Sequence, residues 1–330
     1  MNNQCPFIIC LTPVKNEAWI LDRFLQCASL WADHIIIADQ MSTDGSREIA
    51  LKYPKVQLID NPSLTFNEPI RQKLLLEAAR QIPIKEQLKL FITLDADECL
   101  TGNFNESTEW QTICNAQKGT IIRFDFLNIH PNNKQYWFGG NKAWGFMDDN
   151  VSKHQGRLIH SFRIPQPSNA PTIECKEIKV LHYQFTDWAR MQSKHRWYQC
   201  FELINRPHLH PIAIFRIYHH MYAIGKTELL PLKPEWFDFY VKNGINMFSI
   251  NKQQTYHWDK QVEAYFEKYT PQYFAMLDIW QSTFIEFPDP RSFIQKILHR
   301  YLLWSQYYYA QKFPAGTIVR YFDKFLIWIF

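Results

Sequence analysis

Four short apolar runs in the first hundred residues each end at a polar or acidic residue. Phe7 to Leu11 stops at Thr12-Pro13, and His34 to Ala38 stops at Asp39. Val56 to Ile59 stops at Asp60-Asn61-Pro62, and Leu90 to Leu94 stops at Asp95. Between the runs lie helical patterns. Leu21, Phe24, Leu25 and Ala28 recur at helical spacing, with Asn16 as the expected cap. Residues 46–52 also read as helix. Asn67 is placed to cap a helix with Pro69 in its first turn, running to about Gln81. Strand–helix alternation of this kind predicts an α/β fold with a mostly parallel sheet covered on both faces. In such sheets ligands bind beyond the carboxyl ends of the strands, where Thr12, Asp39, Asp60 and Asp95 are expected to gather.

From Gly119 to His182 the pattern changes. Ile121 to Ile129, Arg157 to Ile164 and Ile173 to His182 predict strands of an antiparallel extension. Asn132-Asn133, Gly139-Gly140 and Pro165 to Pro171 predict loops. From Asp187 onward the spacing is mostly helical, as in Met191, Lys194, Tyr198, Phe201 and Asn205, and again in Phe293, Ile297, Tyr301 and Trp304. Composition divides at the same place. Residues 1–180 hold 17 of the 53 Phe, Trp and Tyr, with 19 Lys+Arg against 20 Asp+Glu; the remainder holds 36 aromatics, with 17 against 12. Two domains are therefore expected: 1–185, and a helical, aromatic-rich 186–330.

Several classes are excluded. No apolar run reaches the ~18 residues that span a bilayer. Met1 to Gln4 lacks the basic start of a secretory signal. Seven Cys without metal-type pairing predict free thiols in a reducing compartment. A net charge of +4 is too small to imply nucleic acid. His208, His210, His219 and His220 lack a zinc ligand set, and no P-loop, G-x-G-x-x-G or G-x-S-x-G turn occurs.

The sharpest chemical feature is Leu94-Asp95-Ala96-Asp97-Glu98. Three carboxylates at the end of a buried strand are costly unless something positive meets them. A divalent cation bridging phosphates would do so, and Mg²⁺ and Mn²⁺ favour oxygen ligands. An acidic turn closing the strand is the alternative. Two more polar stretches converge on the same end of the sheet: Pro13-Val14-Lys15-Asn16-Glu17 after the first strand, and Asp39-Gln40-Met41-Ser42-Thr43-Asp44-Gly45-Ser46 after the second.

With Asn67-Glu68-Pro69-Ile70-Arg71-Gln72 as a fourth element, the chain resembles family 2 glycosyltransferases of the GT-A fold, of bacterial surface-glycan type, over roughly residues 6–185. The resemblance implies a metal-dependent, inverting transfer of a sugar from a nucleotide-diphosphate donor, UDP-sugars being the commonest. The acceptor implied is a hydroxyl of a glycan or lipid-linked glycan, in polysaccharide or lipopolysaccharide synthesis. It implies that Pro13, Glu17 and Asp39 line the base and ribose, and that Asp44 shapes the turn or touches the base edge. Asp95 would meet the ribose or, through water, the metal. Asp97 would ligate Mn²⁺ or Mg²⁺, with His182 completing the shell, and Arg71 would face the diphosphate. Asp44 as a helix cap, Arg71 on a solvated helix face, Glu98 as a turn stabiliser and His182 as a structural residue stand as alternatives.

The family's catalytic base lies downstream of the D-x-D. Asp148-Asp149 is the candidate pair here, since one carboxylate within reach of the acceptor suffices; a polar turn is the alternative. Arg190 and Lys194 share a helix face and could neutralise the leaving diphosphate, or simply be solvated. Gly139-Gly140 with Trp137, Phe138 and Trp144 could form an acceptor wall. The aromatic, basic carboxyl-terminal end predicts a membrane-surface contact, a helical core or a homo-oligomer contact. A cytoplasmic location, peripheral at the inner face of the membrane, fits the thiols and that end. The rival activities are a sugar nucleotidyltransferase, for which the first loop lacks glycine, and a non-catalytic nucleotide-sugar-binding scaffold.

Overall fold

The computed structural model describes residues 5–63, 67–84, 87–156, 161–224, 228–253, 255–280 and 286–330. The chain divides into two compact units. The first holds residues 1–186 and 231–252, and the second holds 187–230 and 253–330.

The first unit begins β1 (Phe7–Val14), α1 (Leu21–Ala28), β2 (His34–Asp39), α2 (Ser46–Ala50), β3 (Val56–Asp60), α3 (Glu68–Gln81) and β4 (Lys89–Thr93). It continues β5 (Glu98–Leu100), α4 (Thr108–Cys114), β6 (Ile121–Ile129), β7 (Gln135–Met147) and β8 (Thr172–His182). Eight strands of one sheet lie in the order β3-β2-β1-β4-β7-β6-β8-β5. The first four are parallel, β7 is antiparallel to β4, and β5 is antiparallel to β8. This is the expected α/β fold of GT-A, Rossmann-like type: a mostly parallel sheet with an antiparallel extension.

Alternation in β1 shows why both faces are covered. Ile8 and Cys10 join one core with α1, while Ile9 and Leu11 join another with α3. A strand apolar on both faces can only be a buried one. Asn67 caps α3 as expected, its Oδ1 accepting from the Ile70 amide at 3.1 Å. Asn16 does not cap α1. It adopts a left-handed φ of 56° and its Oδ1 accepts from the Thr43 amide instead.

The expected loop at Gly139-Gly140 is the middle of β7. Gly140 has φ of 102°, and the β6–β7 register shifts between Asp125 and Leu127. Glycine punctuation here marks an irregularity inside a ladder rather than its end. The strand expected at Arg157 to Ile164 lies partly outside the described residues, and Ser161 to Ile164 are not strand.

Residues 231–252 carry the short helix α7 (Asp238–Lys242). The Tyr240 hydroxyl donates to the Leu100 carbonyl at 3.0 Å, and Arg23 donates to the Met247 carbonyl at 2.7 Å. These buried bonds fasten the segment within the first unit, so the helical part is not continuous from 186.

The second unit contains α5 (Trp188–Asn205), α6 (Pro211–Tyr218), α8 (His257–Tyr269), α9 (Phe293–Ala310) and α10 (Ala315–Ile329). No described helix is long and apolar enough to cross a membrane. All seven cysteines are free thiols. Burial pushes the Cys10 thiol up to about 12.

Candidate metal and nucleotide site

Strand pairing builds the site. In the antiparallel β5–β8 ladder Glu98 is opposite His182, and the Tyr183 amide donates to the Asp97 carbonyl at 2.8 Å. In the parallel β6–β8 ladder His182 is opposite Asn128. These two pairings bring residues 97, 98, 128 and 182 together from three separate stretches of chain.

Asp97 and Glu98 are buried and His182 is nearly so. His182 Nδ1 lies 2.7 Å from Asn128 Oδ1. Donation to that oxygen fixes the tautomer with the lone pair on Nε2, which lies 3.7 Å from Asp97 Oδ2. That separation is long for a hydrogen bond but suits two ligands flanking one ion at ~2.1 Å each. A ring nitrogen oriented through its other nitrogen is the usual outer-shell arrangement of metal-bound histidine. The Phe126 ring lies tilted against the imidazole at 4.7 Å, and Phe185 meets it edge-on at 5.8 Å.

Potential ligand atoms of Asp97, Glu98 and His182 all lie within 4.8 Å of one another. Glu98 is otherwise engaged. Its Oε2 accepts from the Asp95 amide at 2.9 Å and from Arg163 Nη1, and its Oε1 accepts from Arg163 Nη2 at 3.0 Å. Arg163 Nη2 also bonds Asp95 Oδ2 at 2.6 Å, and its guanidinium stacks 4.2 Å over the Trp144 ring. Asp97 Oδ2 and His182 Nε2, 3.7 Å apart, could flank a divalent cation, while Glu98 holds the turn through the arginine behind them. Burial leads in pushing the Glu98 carboxyl above its ordinary value, and Arg163 opposes it.

Arg163 is the positive group that the acidic triple demanded. Nothing in its local sequence marks it, since it arrives from a loop more than sixty residues downstream. The only available signal was the unmet charge of Asp95-Ala96-Asp97-Glu98 itself. Asn128 was likewise invisible, being a polar residue inside a strand whose partner depends on register.

The loops after β1 and β2 are laced together. The Asn16 amide donates to Ser42 Oγ at 2.8 Å, the Glu17 amide to Ser46 Oγ at 2.9 Å, and the Ala18 amide to Asp44 Oδ2 at 2.9 Å. Asp44 thus shapes the turn, its Oδ1 also accepting from Ser46. Glu17 accepts from Trp19 Nε1 at 2.7 Å. Pro13 sits inside β1 opposite Ala38. Asp39 is buried and its Oδ2 accepts from the Ser42 amide and from Arg47, which also bridges Asp60 at 2.9 Å. Asp39 Oδ1 is a buried acceptor with no hydrogen-bond partner among the described residues. Arg71 lies in the first turn of α3, 4.0 Å from Glu68, and Glu68 accepts from the Ser161 amide at 2.6 Å. That link ties the start of α3 to the loop that carries Arg163. Pro13, Glu17, Asp39, Asp44, Arg71, Asp95, Asp97 and His182 therefore share the carboxyl-terminal end of the sheet.

Asp148 and Asp149 do not join them, and the expectation of a base there is corrected by topology. β7 is antiparallel to β4, with Met147 opposite Leu90, and the Asp148 amide donates to the Lys89 carbonyl. The pair sits at the start of β4, roughly 20 Å along the strand from Asp95 at ~3.3 Å per residue. Asp148 is buried in a bidentate pair with Arg80, at 2.7 Å from its Nη2. Asp149 closes a turn by accepting from the Val151 and Ser152 amides at 3.0 and 2.8 Å. Burial opposes them, but a bond from the Ser152 hydroxyl and these two amides hold its carboxyl below the ordinary value. Asp148→Asn should cost about 1–3 kcal/mol of stability by weakening a buried charged bond. Its Mn²⁺ titration should match that of the parent, and a weakened titration would return the residue to the site.

Arg190 and Lys194 belong to the second unit, where both lie over the Trp258 ring, at 4.6 and 5.9 Å. Arg190 is fully buried and Lys194 is half-buried. Of the expected aromatic wall, Trp137 and Trp144 are buried and Phe138 is exposed. Trp144 supports Arg163 and Trp137 packs on Phe185 at 4.7 Å, so both act as packing behind the site. Gly139 has a different task. A Cβ there would stand 2.6 Å from Asn128 Nδ2 and 2.7 Å from Phe126 Cδ1. Gly139→Ala should therefore displace the two groups that orient His182 and lower Mn²⁺ affinity about 10-fold or more, as outer-shell changes do. Unchanged affinity in the same titration would show that the strand absorbs the methyl elsewhere.

No family model matches the chain, and no curated protein matches it. Solved structures do. One is glucosyl-3-phosphoglycerate synthase from Mycobacterium tuberculosis with Mn²⁺, UDP and glucosyl-3-phosphoglycerate, at 15% identity and a TM-score of 0.27 over 37% of this chain. The chain spans 44% of that protein's length. Another is a 4-diphosphocytidyl-2C-methyl-D-erythritol synthase from Anaerococcus prevotii, at 11% identity and a TM-score of 0.26, covering 79% of this chain and 99% of that one. At such scores the likeness is distant, and the site's own geometry bears the functional reading.

Proposed function

We propose that this chain is a metal-dependent glycosyltransferase that moves a sugar from a nucleotide-diphosphate donor to a hydroxyl of a glycan or lipid-linked glycan. The observation that carries the reading is the Asp97–His182 pair, with the imidazole oriented by Asn128, at the same sheet end as the buried orphan Oδ1 of Asp39. Mn²⁺ or Mg²⁺ would be held by Asp97 and His182, where it supplies positive charge for a diphosphate leaving group. Asp39 offers an acceptor to a base or ribose, and the laced loops at Glu17 and Asp44 give that pocket a fixed wall. Arg163 holds Asp95 and Glu98 in place, and Arg71 stands at the start of a neighbouring helix.

A surface-polysaccharide or lipopolysaccharide acceptor and a cytoplasmic location follow the family 2 resemblance. So does a single displacement with inversion, but without Asp148 or Asp149 as its base. The first unit is read as the donor and metal domain, and the second as serving the acceptor or a partner surface.

The test is thermal melting with UDP, GDP, CDP and ADP, each with and without Mn²⁺. A ligand bound only by the native state raises the melting temperature, by RT ln(1 + [L]/Kd) in stability. One diphosphate should stabilise the protein with Mn²⁺ and do little without it. The matching nucleotide-sugar should then release that diphosphate when a glycan acceptor is added. Stabilisation by no nucleotide, or by a triphosphate with release of pyrophosphate, would contradict the reading.

A further inference from the structure

The second unit ends in a helix pair, α9 and α10, whose one acid is turned inward and most of whose rings are turned outward. Asp323 is the sole acidic residue between 293 and 330, and it is buried. Arg216 from α6 holds it at 2.9 Å through both Nε and Nη2. The same guanidinium bonds the Leu302 carbonyl, Gln306 Oε1 and Ser305 Oγ at 2.8–2.9 Å. A fully bonded buried arginine of this kind fixes the rotation of α9 and α10. Leu298 and Leu302 of α9 pack with Ile212 and Phe215 beneath them.

With that face used internally, a second apolar face remains outside. On α10 the exposed residues Ile318, Tyr321, Phe322, Phe325, Trp328 and Ile329 recur at three- and four-residue spacing. Trp328 is 82% exposed, Tyr321 68% and Trp304 on α9 66%. The rings touch one another in an unbroken series. Tyr308, Trp304, Tyr301, Phe322, Phe325 and Trp328 follow with successive centroids 5.3, 6.4, 5.1, 6.1 and 6.4 Å apart. A continuous exposed band of this size marks an interaction surface rather than scattered apolar residues.

The charges around it choose the occupant. Arg300, Lys312 and Lys324 are exposed and make no ion pair among the described residues. No exposed acid accompanies them on either helix. A second copy docked about a two-fold axis would set this basic surface against itself. An anionic lipid surface complements it, and Trp, Tyr and Phe beside Lys and Arg suit the boundary between headgroups and acyl chains. We infer that α9 and α10 form a preformed, in-plane docking surface for an anionic membrane. This inference stands apart from the proposed transfer reaction.

The experiment is flotation of the full chain with vesicles of phosphatidylglycerol and phosphatidylcholine, or of phosphatidylcholine alone. Light scattering gives the oligomeric state in parallel. Binding is expected with the anionic vesicles, at least 10-fold weaker on the neutral ones and falling with salt. Phe325→Ser with Trp328→Ser should abolish it while leaving the melting temperature unchanged. Arg300→Gln, Lys312→Gln and Lys324→Gln keep every ring and should each weaken binding roughly fivefold, since one cation near such a surface contributes about 1 kcal/mol. Failure to float, equal binding to neutral vesicles, or a dimer that the ring substitutions dissolve would each overturn the inference.

Discussion

Asp97→Asn should lower Mn²⁺ affinity at least ~100-fold. Losing one of two oriented ligands is a larger change than the outer-shell losses of 10–100-fold. His182→Ala should match that loss of affinity. Titration followed by the signal of free Mn²⁺, with a melt of each metal-free protein, reads both. An Asp97→Asn protein that melts well below the parent and binds Mn²⁺ normally would make the residue a structural one.

The second large effect belongs to Arg163. Arg163→Met leaves Glu98, 1% exposed at its side chain, and the Asp95 carboxylate without their cation. Breaking a buried pair by removing one partner costs about 3–5 kcal/mol. For a unit of this size the melting temperature should fall by about 10 °C. The pH dependence has a definite sign. Burial already raises the Glu98 carboxyl in the folded state, and the arginine was opposing that rise. Without it the folded value climbs further, so the folded state binds more protons than the unfolded chain. Stability is then fully present below the ordinary carboxyl range and is lost as pH rises through the folded value. The variant should regain stability as pH falls toward 5, and Arg163→Met with Glu98→Gln should recover most of it at neutral pH. A variant equally destabilised at every pH would show that Arg163 matters through packing on Trp144 alone.

What could be read from the residues alone had a common character. β1 to β4 and their helices were legible because period-2 and period-3.6 patterns are local, and because turn residues stand at their ends. The Asn67 cap was legible for the same reason. Gly139-Gly140 misled because glycine marks both loops and irregular strands, and only the β6 ladder distinguishes them. Asp148-Asp149 misled more seriously. A sequence separation of fifty residues says nothing about which end of the sheet a pair occupies, and the antiparallel sense of β7 places it at the far one. Arg163 and Asn128 were hidden because their roles exist only through contacts made across the fold. Asp323 is one acid in an aromatic helix, and its burial against Arg216 depends on a contact across the fold that spacing does not show.

The proposed function requires one arrangement: a cation held by Asp97 and His182 beside a bound nucleoside diphosphate. Pulsed electron paramagnetic resonance of the protein with Mn²⁺ and the stabilising diphosphate addresses both halves at once. Coupling is expected from one imidazole ¹⁴N that disappears in His182→Ala, together with coupling from diphosphate ³¹P that persists there at higher Mn²⁺. A spectrum with phosphorus coupling but no nitrogen coupling in the parent protein, or one unchanged by His182→Ala, would contradict that arrangement.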